Sequence, residues 1–250
     1  SPDKTFVGWQ NVTDILFNNP VFWVSMKNAL IITVLALVVQ NLLALLLALA
    51  CDRDIRFGNV YRVIFYIPPV LSGIVVGLIW QWIYDGNYGL FNHLLDFLRL
   101  GHLKRAWLAD GQTALYAVAV IHMWKGFGWG FIVLLAGLQS IPRELYEAAR
   151  VDGANAWHTF MNVTAPLMSP VFVLVSVLTI LATMQIYDII VSTTGGGPGY
   201  HTEVPISRMI SEMTGASRFG YACAMGVVFG VVLLIVSLVQ IKVSRSIRQV

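Results

Sequence analysis

The chain has 250 residues, 57% of them hydrophobic and 12% charged, against roughly 25% charged in a soluble domain. A soluble fold of this length could not hide so much apolar surface, so lipid must cover part of it. The formal net charge of +3 is small and dispersed, which gives nucleic acid no footing.

The opening stretch, SPDKTFVGWQNVTDIL, is polar, lacks a signal-peptide pattern and has the character of the interior of a longer chain. Five apolar segments follow: residues 28–51, 63–84, 114–138, 167–190 and 221–241. Each reaches the length of about 20 residues that crosses a bilayer as a helix. Phe22 and Trp23 precede the first, and Trp80 and Trp82 stand near the end of the second, where an interfacial aromatic belt belongs. Pro68-Pro69, Ser72-Gly73 and Gly77 should bend the second span and allow close helix approach, as Gly126, Gly128 and Gly130 should in the third. Two loops are long, residues 85–113 and 191–220, with short helical candidates at 90–98 and 204–214. The predicted fold class is all-α: a polytopic membrane helical bundle, with residues 1–250 as a single transmembrane domain.

Lys and Arg in the loops orient the spans. Arg53, Arg56 and Arg62 share a short loop, Arg143 and Arg150 lie in the central loop of residues 139–166, and Lys242, Arg245 and Arg248 lie in the tail. With five spans these regions share one side, which is therefore cytoplasmic. The opposite side carries seven Lys and Arg, spread over longer loops with Asp and Glu among them. The N-terminus then falls outside the cytoplasm, and a sixth span ahead of Ser1 is expected to account for it.

The central loop is itself helical. Residues Glu144 to Arg150 are mostly good helix formers. Asp152-Gly153 breaks the run, Asp152 can cap a second helix from Ala154 to about Val163, and Pro166 stops that helix or opens the next segment. Helix, corner and helix against a membrane form a docking element rather than a plain connection.

Nothing in the chain carries catalysis. The run Gly195-Gly196-Gly197-Pro198-Gly199 is followed by no Lys-Ser or Lys-Thr, and so lacks the phosphate-binding pattern. It falls on the outer side and is expected to be a tight turn after the fourth span. His93, His102, His122, His158 and His201 show no metal-ligand spacing. Cys51 and Cys223 are expected to be packing residues without a disulfide. Any energy used must come from another subunit, and the chain itself is expected to bind no cofactor.

Polar groups inside spans are costly and therefore informative. His122 and Lys125 lie three residues apart in the third span, Gln185, Tyr187 and Asp188 near the outer end of the fourth, and Gln81 in the second. They suit a polar, partly aromatic pathway for a hydroxyl-rich solute. A Lys125–Asp188 pair or helix-to-helix hydrogen bonds would instead make them bundle-stabilising, and a proton relay through His122, Lys125 and Asp188 would make the chain a secondary transporter. Composition leaves these open.

The central loop narrows the choice. Glu147-Ala148-Ala149, three residues, Gly153, nine residues and then Val163-Thr164-Ala165-Pro166 resembles the EAA signature of binding-protein-dependent ABC-importer permeases, with Val163 in place of Ile and Ala165 in place of Leu. FVGWQN at Phe6 to Asn11, LAGLQSIPRELYEAARVDGA at Leu135 to Ala154, TTGGGPGYHTE at Thr193 to Glu203 and RFGYACAM at Arg218 to Met225 look like the sugar-permease branch, which has a MetI-like transmembrane domain. The resemblance covers nearly the whole chain. It implies a type I ABC importer transmembrane domain in a bacterial or archaeal cytoplasmic (inner) membrane, carrying a sugar, an oligosaccharide or glycerol phosphate. It also implies a second homologous permease, two ATP-binding cassette subunits that use ATP and Mg, and an extracytoplasmic solute-binding protein. The central loop would then be the coupling helix, with Glu147, Ala148, Ala149, Asp152, Gly153, Ala154 and Pro166 at the ATPase. Glu147 would make the polar contact and Gly153 the corner.

Overall fold

The computed structural model describes residues 7–52 and 58–247. Phe6, Arg53, Arg56 and Arg248, used above for the family flank and for orientation, lie outside the described residues, as does the side chain of Arg245. Among the described residues all regular structure is helical. The chain runs α1 (Gln10–Phe17), α2 (Pro20–Cys51), α3 (Gly58–Val70), α4 (Gly73–Ile83), α5 (Leu90–Phe97), α6 (Ala114–Gln139), α7 (Arg143–Val151), α8 (Ala156–Met184), α9 (Asp188–Thr193), α10 (Pro205–Thr214) and α11 (Phe219–Ile247). Four of these, α2, α6, α8 and the Phe219–Gln240 part of α11, are long and apolar enough to cross a membrane. α3 and α4 reach that standard only as a pair, bent by 97° at the break between them.

Where helices start and stop differs from the hydropathy pattern, for local reasons. α2 begins at Pro20 rather than near residue 28, because Asn19 caps it: the Asn19 side-chain oxygen accepts from Phe22 N–H at 2.9 Å, and Pro20 takes the first helical position, where no N–H is needed. The second helix of the central loop runs straight into the fourth span instead of stopping at Pro166. A wide turn at Phe160–Thr164 permits this, with Ala165 N–H bonded to Phe160 C=O, one residue further back than in an α-helix. The ladder is thus already shifted where Pro166 would break it. The fourth span ends at Met184 rather than near residue 190, and α9 is a separate short helix.

By its internal contacts the chain divides into two compact units, residues 1–33, 73–122 and 182–237, and residues 34–72, 123–181 and 238–250. The first has a core of Ile15, Phe22, Tyr221, Met225 and Val228. The second is built on Ala44, Ala48, Cys51, Phe131, Leu134, Leu138 and Met168. Its small residues let backbones approach: a Cβ at Gly130 would meet Ala44 Cβ at 3.4 Å. The closest approach to a backbone oxygen in this unit is at the end of α3. Proline at 69 has no N–H to give Phe65 C=O, and a Cβ at Gly128 would lie 2.0 Å from that oxygen. Lys125 Nζ donates to Pro69 C=O at 3.4 Å. Outward, Leu30, Val34, Val38, Leu42 and Leu46 recur every fourth residue on α2 and stay exposed, the stripe a span turns to lipid.

Candidate functional site

The helix, corner and helix of the central loop belong to the second unit. α7 has Glu144 in its first turn and Arg150 in its last, each charge opposing the adjacent end of the helix dipole. Its C-terminus closes as a Schellman motif, with Gly153 N–H bonded to Arg150 C=O at 3.2 Å and Ala154 N–H to Ala149 C=O at 2.9 Å. Gly153 takes φ +77°, a left-handed angle, and nothing lies within 4 Å of a Cβ built on it. Its requirement is therefore backbone conformation, with open space beyond. Asp152 ends α7 and does not cap the next helix. Asn155 does so, its Oδ1 accepting from His158 N–H at 2.9 Å. Asx geometry at 155 is better placed because the turn from Gly153 shifts the helix start to Ala156.

Tyr146 faces inward, packed against the Phe131 and Met168 core with its hydroxyl 3.2 Å from Thr164 Oγ1. Glu147, Ala148 and Asp152 face outward, Ala149 and Ala154 are half-buried, and Pro166 is exposed in the opening of the apolar part of α8. Beside them stand apolar groups that spacing did not single out: Val151, 88% exposed, and Trp157, 64% exposed. The available signal was two apolar residues flanking a polar corner.

The polar span residues separate into four settings. Lys125 serves the broken end of α3. His122 lies on α6, half-buried. Gln81 and Asp188 are brought onto one helix pair within the first unit. Gly73, Gly77 and Gln81, four residues apart, form the face of α4 that packs on α9. A Cβ at Gly73 would lie 2.7 Å from Asp188 Cβ, one at Gly77 would overlap Ser192 Oγ, and Gln81 Nε2 donates to Thr193 C=O at 2.9 Å. Gln185 and Tyr187 occupy the break before α9.

Around this pair lies an open cavity of about 690 Å³, lined in part by Gln81, Trp82, Asp85, Tyr88, Thr194 and Pro198. Asp85 Oδ1 accepts from Asn87 N–H at 2.9 Å and Tyr88 N–H at 2.8 Å. Those Tyr88 and Asn87 bonds hold its carboxyl below the usual carboxylate range. Behind the wall, Asn92 is buried and accepts from Trp107 Nε1 at 2.8 Å while donating to Gly86 and Arg105 carbonyls at 3.0 Å. The glycine-rich run is a turn after α9: Thr202 Oγ1 donates to Gly197 C=O at 2.7 Å and lies 2.6 Å from Thr194 Oγ1. Glu203 is buried under it, accepting from Ser207 Oγ at 2.8 Å, with Gly196 (φ +92°) against its other oxygen.

Burial pushes the Glu203 carboxyl above its ordinary value of 4.5, against the opposing effects of Ser207 and Arg208. Relative to the unfolded chain, the fold therefore disfavours the charged form. That stability is fully present below the unfolded value and is lost as pH rises through the folded one. Glu203→Gln should accordingly raise the melting temperature near pH 8, with the gain shrinking toward pH 4.5. Differential scanning fluorimetry across pH measures it, and a gain that grows on acidification would contradict the sign.

Among the described residues no group of three or more His, Cys, Asp or Glu is placed to hold a metal. The family described as binding-protein-dependent transport system inner membrane component matches residues 8–249. This chain belongs to it. The permease is 33% identical over 248 residues to a probable ABC transporter permease protein, YurN, of Bacillus subtilis, covering 98% of this chain and 85% of that one. It is 32% identical over 244 residues to the trehalose/maltose transport system permease protein MalF of Thermococcus litoralis, covering 98% and 81%. It is also 32% identical over 249 residues to the arabinooligosaccharides transport system permease protein AraP of Bacillus subtilis, covering 98% and 78%. Its fold matches a chain in the crystal structure of a bacterial ABC transporter involved in the import of the acidic polysaccharide alginate. There the TM-score is 0.86 at 23% identity, covering 98% of this permease and 85% of that chain. The all-α membrane fold of an ABC importer is thus the fold of this permease, which is a transporter subunit and not an enzyme.

Proposed function

We propose that this permease is a membrane subunit of an ATP-driven importer for a sugar, an oligosaccharide or glycerol phosphate, coupled to separate ATPase subunits through α7 and its corner. The observation that carries the coupling role is the build of α7. Tyr146 ties it to the core, Gly153 and Asn155 fix its corner, and Glu147, Ala148 and Val151 are left exposed. A rigid exposed element transmits a push that a soft loop would absorb. The assembly is a second homologous permease, two ATP-binding cassette subunits that use ATP and Mg, and an extracytoplasmic solute-binding protein, in a bacterial or archaeal inner membrane. This chain itself holds no cofactor. Trehalose/maltose and arabinooligosaccharides, in the names of two relatives, support a sugar as cargo.

Gln81, His122, Lys125, Gln185, Tyr187 and Asp188 are proposed to line part of the pathway, where amide, carboxylate and aromatic groups suit a hydroxyl-rich solute. ATPase closure would move α7 and switch the spans between inward- and outward-facing states, which requires that the ATPase contacts differ in the two states. Reconstitution with the partner subunits in liposomes tests this. Uptake of labelled oligosaccharide should require internal ATP and the binding protein together. Uptake that ignores both would sink the importer reading and favour a gradient-driven transporter.

A further inference from the structure

We propose that the outer cavity beside α4 is a subsite for a neutral oligosaccharide chain, and that Asp85 makes it unsuited to acidic sugars. The proposal rests on the reading of this permease as a sugar importer and adds a place and a specificity. Three observations carry it.

The first is aromatic surface left uncovered. Trp82 is 82% exposed and Tyr88 86% exposed, and both line the cavity. Tyr84, which also lines the cavity, Phe91 and Trp107 meet one another edge-on or tilted at centroid distances of 5.1 to 6.3 Å. Trp82 and Tyr88 are therefore available to a ligand. The apolar C–H face of a pyranose stacks on such rings.

The second is polar groups already held in place. The Asp85 carboxylate is fixed by two backbone N–H groups, and Gln81 is tied to the end of α9 through Thr193 C=O. Thr194, whose hydroxyl lies 2.6 Å from Thr202 Oγ1, also lines the cavity. Fixed acceptors and hydroxyls of this kind receive sugar hydroxyls without the cost of ordering mobile side chains. The volume of about 690 Å³ falls within the roughly 300–1,000 Å³ of ligand pockets.

The third is charge. Among the described residues that line the cavity, Asp85 is the one charged residue. The nearby cations are engaged elsewhere: Lys104 Nζ lies 2.6 Å from Asp96 Oδ2, and Arg105 Nη1 lies 3.4 Å from Asp110 Oδ2. A uronic-acid chain would bring carboxylates against Asp85 with no cation in the lining to offset them. A neutral chain meets a hydrogen-bond acceptor instead.

The test uses the assembled transporter in lipid nanodiscs without its binding protein. Saturation-transfer NMR is read with neutral trisaccharides of glucose and of arabinose, and with a trisaccharide of uronic acids. At least one neutral trisaccharide should bind, and Trp82→Ala and Tyr88→Ala should each weaken it about tenfold or more. The uronate should bind only to Asp85→Asn. Both aromatic sites are exposed, so these variants should fold. The proposal is overturned if no neutral trisaccharide binds, if binding ignores both aromatic substitutions, or if the uronate binds the wild type equally well. It is also overturned if brominated lipid quenches the fluorescence that Trp82→Phe removes, since lipid would then occupy the rings. ATP-dependent uptake is measured on the same preparations. Uptake without trisaccharide binding removes the subsite alone, whereas binding without uptake retains the subsite and removes the importer reading.

Discussion

Glu147→Lys should lower ATP-dependent uptake about tenfold or more while leaving the permease folded and in the membrane. Glu147 is exposed on α7 and packs against none of the core that holds Tyr146, so reversing its charge has little to disturb within the chain. At a partner surface the effect is larger, since breaking one member of an interfacial charge pair costs roughly 2–5 kcal/mol. The corner provides an independent check. Gly153 holds φ +77°, where a side chain costs roughly 1–2 kcal/mol and Asn is tolerated best. Gly153→Val should therefore uncouple hydrolysis from uptake, and Gly153→Asn should restore much of the coupling. Co-purification of the ATPase subunit and paired hydrolysis and uptake rates separate lost docking from lost transmission. Wild-type values for both variants would refute the docking role.

Gly128→Ala should prevent the permease from accumulating as a folded membrane protein. The added methyl would stand 2.0 Å from Phe65 C=O and 3.0 Å from Pro69 Cγ. The first is backbone that cannot rotate away. Relief requires α3 and α6 to separate, which also draws Lys125 off Pro69 C=O. Overpacking of this kind costs about 1–3 kcal/mol where side chains can adjust, and more where backbone must move. Gly130→Ala is the contrast, because its Cβ would meet Ala44 at 3.4 Å and needs only a small shift. Size-exclusion profiles in detergent and thermal unfolding of the two variants should differ clearly. Equal behaviour would mean that the helices are not held this closely.

Much of this protein was legible without coordinates. The apolar runs identified the membrane helices because a span is a property of local composition, and Pro68-Pro69 marked the one that breaks. The central loop was legible because its helix formers, its glycine and its spacing are contiguous. The cap was misplaced at Asp152 because Asp and Asn are both good caps, and only the turn after Gly153 decides which one reaches the next helix. The run through Pro166 was hidden because the compensating wide turn at Phe160–Thr164 has no sequence pattern of its own.

By itself the sequence determined that the chain carries membrane-spanning helices, where the helical central loop lies between them, and to which family the chain belongs. These follow from hydropathy, loop charge and a fixed spacing, all of which are short-range. Tertiary structure decided the rest: the helix break at Gln185–Tyr187, which no Pro or Gly announces, the packing of α9 on Gly73 and Gly77, and the cavity that joins Trp82 and Asp85 to a turn more than a hundred residues away. Those features depend on which distant backbones can approach one another, and periodicity along one helix carries no record of its neighbour.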